Sequence, residues 1–186
     1  FQTVLIDETT NEIVVPNGTM GDRHTNPQKW NLRLENRNTG AKIDPRLSVF
    51  DQRQDVTVVK LPYFGDEEHE GVIERAIPTI TVQTVDGPVK VTTVYDLILA
   101  NYGIDRGIGG EVATSYTDDT PYTPTWQEKI TGVTADIAIA TAREFADNAE
   151  KTKGRSMIIM GGGINHWYHA DVIYRTILNL IMFCGT

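Results

Sequence analysis

Ser156-Met157-Ile158-Ile159-Met160-Gly161-Gly162-Gly163-Ile164-Asn165-His166 is the stretch whose reading decides the fold. A short, nearly all-apolar run that breaks into three glycines has the pattern of a central strand covered on both faces and ending in a turn. Before it, Ile137, Ala138, Thr141, Ala142, Phe145, Ala146 and Ala149 share one face of a helix, with Thr134 placed as its cap. After it, Val172, Ile173, Ile177, Leu180, Ile181 and Phe183 resume the helical period. Helix, strand, glycine turn and helix in succession predict an α/β fold with a Rossmann-like core.

Outward from this unit the pattern stays helical back to Val94. Val94, Leu97, Ile98 and Tyr102 form an apolar stripe that Gly103 is placed to end. The Gly- and Thr-rich residues 105–122 read as a linker or surface loop. Pro124 suits the first turn of a short helix starting near Thr125 and interrupted by Gly132. Earlier still the period is two. Thr3-Val4-Leu5-Ile6 and Glu12-Ile13-Val14-Val15 read as a hairpin around the polar residues 7–11, closed by Pro16-Asn17-Gly18. Trp30-Asn31-Leu32-Arg33-Leu34 and Val56-Thr57-Val58-Val59-Lys60-Leu61 read as strands, and the acidic Asp66-Glu67-Glu68-His69-Glu70 as solvated surface. A hairpin over 80–85 and 89–93 turns at Asp86-Gly87-Pro88. The chain therefore divides into a β-hairpin-rich portion, 1–93, and an α/β portion, 94–186, which together read as one excised domain. It opens on Phe1 and stops directly after an apolar helical pattern, as a fragment of a larger multidomain subunit would.

Composition narrows the function classes. With 186 residues, 40% hydrophobic and 23% charged, the chain is long enough for a packed core. Its net charge of −8 disfavours nucleic acid as a partner. A lone cysteine, Cys184, cannot form an internal disulfide or by itself hold a cluster. No apolar run reaches the roughly 20 residues of a membrane span, so the piece reads as soluble, without direct membrane insertion.

The chemistry converges on residues 161–166. Gly161, Gly162 and Gly163 remove every Cβ from the lip where an α/β sheet binds ligands, and Asn165 and His166 add polar side chains there. Two readings stand: a lip that a ligand's polar groups approach closely, or glycines that merely permit a tight turn, since the G-x-G-x-x-G pattern is incomplete. His166 and His169 lack a third ligand, so no metal site is expected. Trp167, Tyr168 and Tyr174 read as core or pocket wall. Neither a G-x-S-x-G elbow nor a Walker loop is present, and no catalytic residue is assigned.

A family resemblance is carried by several motifs. They are Thr92-Thr93-Val94-Tyr95-Asp96-Leu97, Leu99-Ala100-Asn101-Tyr102-Gly103, Tyr122-Thr123-Pro124, Ile130-Thr131-Gly132-Val133, Ala142-Arg143-Glu144-Phe145-Ala146-Asp147-Asn148-Ala149 and Gly154-Arg155-Ser156-Met157-Ile158-Ile159. With Asn165-His166-Trp167-Tyr168-His169, and with Val15-Pro16-Asn17-Gly18, Lys29-Trp30-Asn31-Leu32 and Pro62-Tyr63-Phe64-Gly65 earlier, they span essentially the whole chain. The sequence resembles the catalytic alpha subunit of bacterial respiratory nitrate reductases, within the molybdopterin oxidoreductases.

That resemblance implies an enzyme at the cytoplasmic face of the bacterial cell membrane that reduces nitrate to nitrite in anaerobic respiration. Electrons would come from quinol through a membrane cytochrome b (gamma) subunit and an iron–sulfur beta subunit. The full-length subunit would hold a molybdenum bis(molybdopterin guanine dinucleotide) cofactor and a 4Fe-4S cluster, with Gly161, Gly162, Gly163, Asn165 and His166 near the pterin. The family's cluster motif and aspartate molybdenum ligand fall before this segment, so the isolated piece is expected to hold no cofactor and to be inactive. Thr186 stands where the family has a second cysteine after Cys184-Gly185, and Gly162 where a small residue is usual. The alternatives are a cofactor-free structural or interaction domain against the beta subunit, and a related nitrite-oxidising enzyme.

Overall fold

The computed structural model describes residues 4–17, 33–63 and 71–186. Two compact units emerge, Phe1–Ala113 and Thr114–Thr186.

The first unit is built on hairpins. β1 (Leu5–Ile6) pairs antiparallel with β2 (Ile13–Val14), and Asn11, at φ 60°, turns the chain between them. Asn tolerates this left-handed conformation because its short amide bonds locally. β3 (Pro16–Asn17) pairs with β4 (Arg33–Asn36). The expected strand over 30–34 is therefore seen only from Arg33 onward; its first three residues, the acidic stretch 66–70, His24 and Phe64-Gly65 lie outside the described residues.

The main sheet has the order β5–β6–β7, formed by Asp55–Pro62, Val72–Thr84 and Gly87–Val91. β6 is longer than the 80–85 stretch its alternation suggested, because Pro78 masks its first half. A proline is tolerated there since β7 joins only from Ile80, leaving that half of β6 one full ladder, to β5. The turn is also tighter than expected: Thr84 faces Gly87, so only Val85 and Asp86 are unpaired and Gly87-Pro88 already belong to β7. Ile80 and Val82 of β6 close over Val49, with Ile6 and Val91 packed at the edge.

α1 (Val94–Asn101) starts at Thr93, whose hydroxyl accepts from Asp96 N at 3.1 Å, and packs on β6. Its buried residues are Asp96 and Ala100, not the predicted apolar stripe, and Val94 is exposed. The expected loop 105–122 is in part an element of the first unit. Glu111 N donates to Glu74 O, Gly110 bridges to Arg75, and Ile104 bridges to Ala113. These bonds carry the first unit past residue 93 to Ala113.

The second unit is helical. Its opening turn is organised by Asp118, whose carboxylate accepts from the Thr114 hydroxyl and from the Thr114 and Ser115 amides. These bonds, led by that of the Thr114 side chain, hold the carboxyl below its ordinary value. α2 (Pro124–Thr131) is capped by Thr123, which accepts from Trp126 N at 3.2 Å, and ends at left-handed Gly132. Thr123→Ala is expected to cost about 1 kcal/mol, the usual worth of a cap. It removes a second bond as well, from the hydroxyl to Asp118 O, and thermal unfolding reads the loss as a lowered Tm.

α3 (Ala135–Thr152) is not capped by the Thr134 side chain as expected; Glu128 instead accepts from Ala135 N at 2.8 Å. α4 (Ala170–Cys184) packs on α3. Gly154 permits the approach of their ends, for a Cβ there would lie 2.3 Å from Gly185 O. Of the small-residue face predicted on α3 only Ala149 is buried, and Val172, Leu178, Met182 and Phe183 of α4 stay exposed.

The fold is thus mixed α and β, but no Rossmann-like sheet forms among the described residues. Every pair of named strands is antiparallel, and residues 114–186 contain helices alone. The predicted central strand at 156–160 forms no regular element and has no strand partner among the described residues. Met157 and Ile159 are 78% and 84% exposed while Ser156, Ile158 and Met160 are half-buried, so one face is covered rather than two. A strand is defined by its ladder, and an apolar run cannot supply the neighbour it bonds to.

Candidate functional site

The predicted site residues lie between the run 156–160 and α4. Gly162–His166 form a 3-10 turn entered from Gly161 in extended conformation, rather than a direct passage from strand into helix. Trp167 N closes on Ile164 O and Ala170 N on Trp167 O, while His169 takes the left-handed conformation at φ 60° before α4 begins. A short 3-10 stretch tightens the chain to three residues per turn, which a run of side-chain-free positions accommodates.

Gly161, Gly162 and Gly163 have ordinary backbone geometry. None has positive φ, and a Cβ on any of them would meet nothing within 4 Å. Neither the turn's own backbone nor packing inside this chain requires glycine there. All three are exposed, as are Asn165 and His166.

Asn165 has a partner that sequence spacing does not reveal. The hydroxyl of Tyr174, in the second turn of α4, donates to Asn165 Oδ1 at 2.5 Å. Trp167 and Tyr168 are exposed rather than forming core or pocket wall, and Tyr168 leans on the ring of His169 at 4.1 Å. His166 and His169 gain no third ligand: no group of three or more His, Cys, Asp or Glu is arranged to hold a metal among the described residues. A groove of about 460 Å³ lies elsewhere in this unit, between α2 and α3, lined by Tyr116, Tyr122, Ala138, Ala142 and Arg143, and the 161–166 turn takes no part in it.

Amide and imidazole side chains beside bare main chain can hydrogen-bond an organic group that carries acceptors.

Another polar cluster, in the first unit, escaped the sequence reading. Asp96 is fully buried and accepts from Ser48 Oγ (2.7 Å), Val49 N (2.9 Å), Thr93 Oγ1 (2.8 Å) and Arg106 Nη1 (2.5 Å). Arg106 also lies over the Phe50 ring. Burial pushes the Asp96 carboxyl up, but the bonds from Ser48, Arg106, Val49 and Thr93 together hold it below its ordinary value. The signal available was the Thr93-x-x-Asp96 spacing, a capping-box pattern. Every acceptor position of Asp96 is occupied from within, so this cluster holds the unit together and offers no reactive group.

Comparison with known proteins decides the family. No family model matches the chain. The nitrate reductase alpha chain of Bacillus subtilis (strain 168) is 48% identical over 179 residues, 96% of this chain. The respiratory nitrate reductase 1 alpha chain of Escherichia coli (strain K12) is 47% identical over 187 residues, covering 95% of it. This chain belongs to the nitrate reductase alpha family. A member from Mycobacterium tuberculosis (strain H37Rv) is 44% identical over all of the chain. The chain spans only 14–15% of the length of these family members, so it corresponds to one segment of each. No helix among the described residues is long and apolar enough to cross a membrane.

Proposed function

We propose that this chain serves as a segment of the catalytic subunit of a respiratory nitrate reductase, in which the 161–166 turn borders the organic part of the molybdenum cofactor. The observation that carries this reading is the glycine lip: three exposed positions where neither φ nor internal packing asks for glycine. A flat, acceptor-rich pterin can lie against such a lip, with the Asn165 amide and His166 imidazole bonding to its edge. In the bis(molybdopterin guanine dinucleotide) form the metal would be held by residues outside this segment, and the cofactor would supply the oxygen-atom transfer that turns nitrate into nitrite. The chain's own contribution is to bind and orient.

The same reading accounts for the unpaired run 156–160. In the whole subunit this run joins a parallel sheet, giving the Rossmann-like core that the segment alone lacks, and the apolar face of α4 is covered with it. A 4Fe-4S cluster, an iron–sulfur beta subunit and a membrane cytochrome b would deliver electrons at the cytoplasmic membrane face, as the resemblance implies. A second reading, a cofactor-free interaction domain, is favoured by the exposed apolar side chains of α4 and of Met157 and Ile159.

Molybdenum content separates the two. In the intact enzyme, Asn165→Ala with His166→Ala is expected to lower molybdenum per subunit and nitrate turnover by about tenfold or more, the loss of two polar contacts. Full occupancy and turnover in that variant would sink the cofactor reading and leave the interaction domain.

A further inference from the structure

We propose that Tyr174 is a positioning residue that fixes the rotation of the Asn165 amide, so that its NH2 group faces the ligand at the glycine lip. The inference rests on the cofactor reading above and adds to it a residue and a polarity. An asparagine amide has one accepting end and one donating end, and which of them a ligand meets depends on a rotation that an exposed side chain does not hold by itself.

The phenol settles that rotation. The Tyr174 hydroxyl donates to Asn165 Oδ1, so the accepting end of the amide is the one engaged by the phenol. With its acceptor engaged, Asn165 presents two N–H donors from Nδ2. The turn is thereby matched to a ligand edge of acceptors, such as ring nitrogens, a carbonyl or phosphate oxygens, and mismatched to a donor edge.

The backbone holds the two residues in place. The carbonyl of His169 accepts from both Val172 N (3.0 Å) and Ile173 N (3.1 Å), and Trp167 N and Ala170 N close the preceding turns. The α4 helix also packs against the 3-10 turn. Tyr174 therefore meets Asn165 in a fixed frame, and an amide held in its binding rotamer before the ligand arrives does not lose that freedom on binding.

The test is a double-mutant cycle in the assembled full-length enzyme, read by molybdenum and pterin per subunit and by the rate at which both are released in mild urea. Tyr174→Phe keeps the ring and its packing and removes only the hydroxyl. It is expected to speed release about 3- to 10-fold, the worth of one hydrogen bond. In an Asn165→Ala background the same change should add nothing. Asn165→Asp keeps the acceptor for Tyr174 but has no NH2, so it should lose as much as Asn165→Ala.

Each contrary result has its own meaning. Wild-type release in Tyr174→Phe with fast release in Asn165→Ala overturns the positioning role and leaves the cofactor contact. Wild-type release in Asn165→Ala overturns both. An equal loss from Tyr174→Phe in the two backgrounds makes Tyr174 a packing residue, and wild-type retention in Asn165→Asp overturns the donor polarity.

Discussion

Asp96→Ala is expected to destabilise the protein by about 3–5 kcal/mol, the cost of removing one partner from a buried ion pair. The carboxylate has no exposed surface and receives four hydrogen bonds, from Ser48, Val49, Thr93 and Arg106. Truncation leaves the Arg106 guanidinium without its counter-charge and the buried Val49 amide without an acceptor. It also removes the tie between residues 48–49, the start of α1 and the segment after Gly103, three stretches distant in sequence. Urea unfolding should show an unchanged slope and a midpoint lowered by that free energy divided by the slope; a loss below about 1 kcal/mol would mean that water replaces the carboxylate.

The pH dependence has a definite sign. Because the folded carboxyl titrates below its ordinary value of 3.8, the unfolded chain takes up the proton first as pH falls. The stability Asp96 contributes is complete above that value and is lost as pH drops through it toward the folded pKa. Wild-type stability should therefore fall more steeply below about pH 4 than that of Asp96→Ala. Parallel curves would show that the cluster does not hold the carboxylate in its charged form.

Gly110→Ala should be the most damaging of the glycine replacements in the first unit, costing about 2–4 kcal/mol from strain and overlap together. Gly110 sits at φ +87°, and a Cβ would lie 2.6 Å from Ala76 N and 3.1 Å from Arg75 Cα, both main-chain atoms of β6 that cannot swing aside. Gly109 supplies the control: its φ is +91°, but a Cβ there meets nothing within 4 Å. Gly109→Ala thus carries the backbone strain without the overlap. Equal unfolding midpoints for the two variants would show that β6 yields to the added methyl group.

The local grammar was legible because it depends on neighbours in sequence. Pro124 and Gly132 bracket α2, Gly103 follows α1, and the alternation of 56–61 appears as β5. Asp96 and Arg106 were not legible as a pair. A carboxylate in the first turn of a helix is equally at home in water, and only the placement of Ser48 and Val49 over it shows that it is buried. Asn165 was singled out by its position after three glycines, whereas Tyr174 was grouped with the aromatic wall, since its hydroxyl gains meaning only when α4 folds back beside the 3-10 turn.

By itself the sequence determined the helices and the main hairpin, properties of residue type and short-range spacing, and it carried the motifs of the family resemblance. Tertiary structure alone decided which groups are buried, which glycines are unconstrained within the chain, and that residues 156–160 have an exposed face and no ladder. The physical reason is that burial and strand pairing belong to a residue and its distant neighbours jointly: the same apolar run is a central strand when another strand lies beside it and an irregular segment when none does.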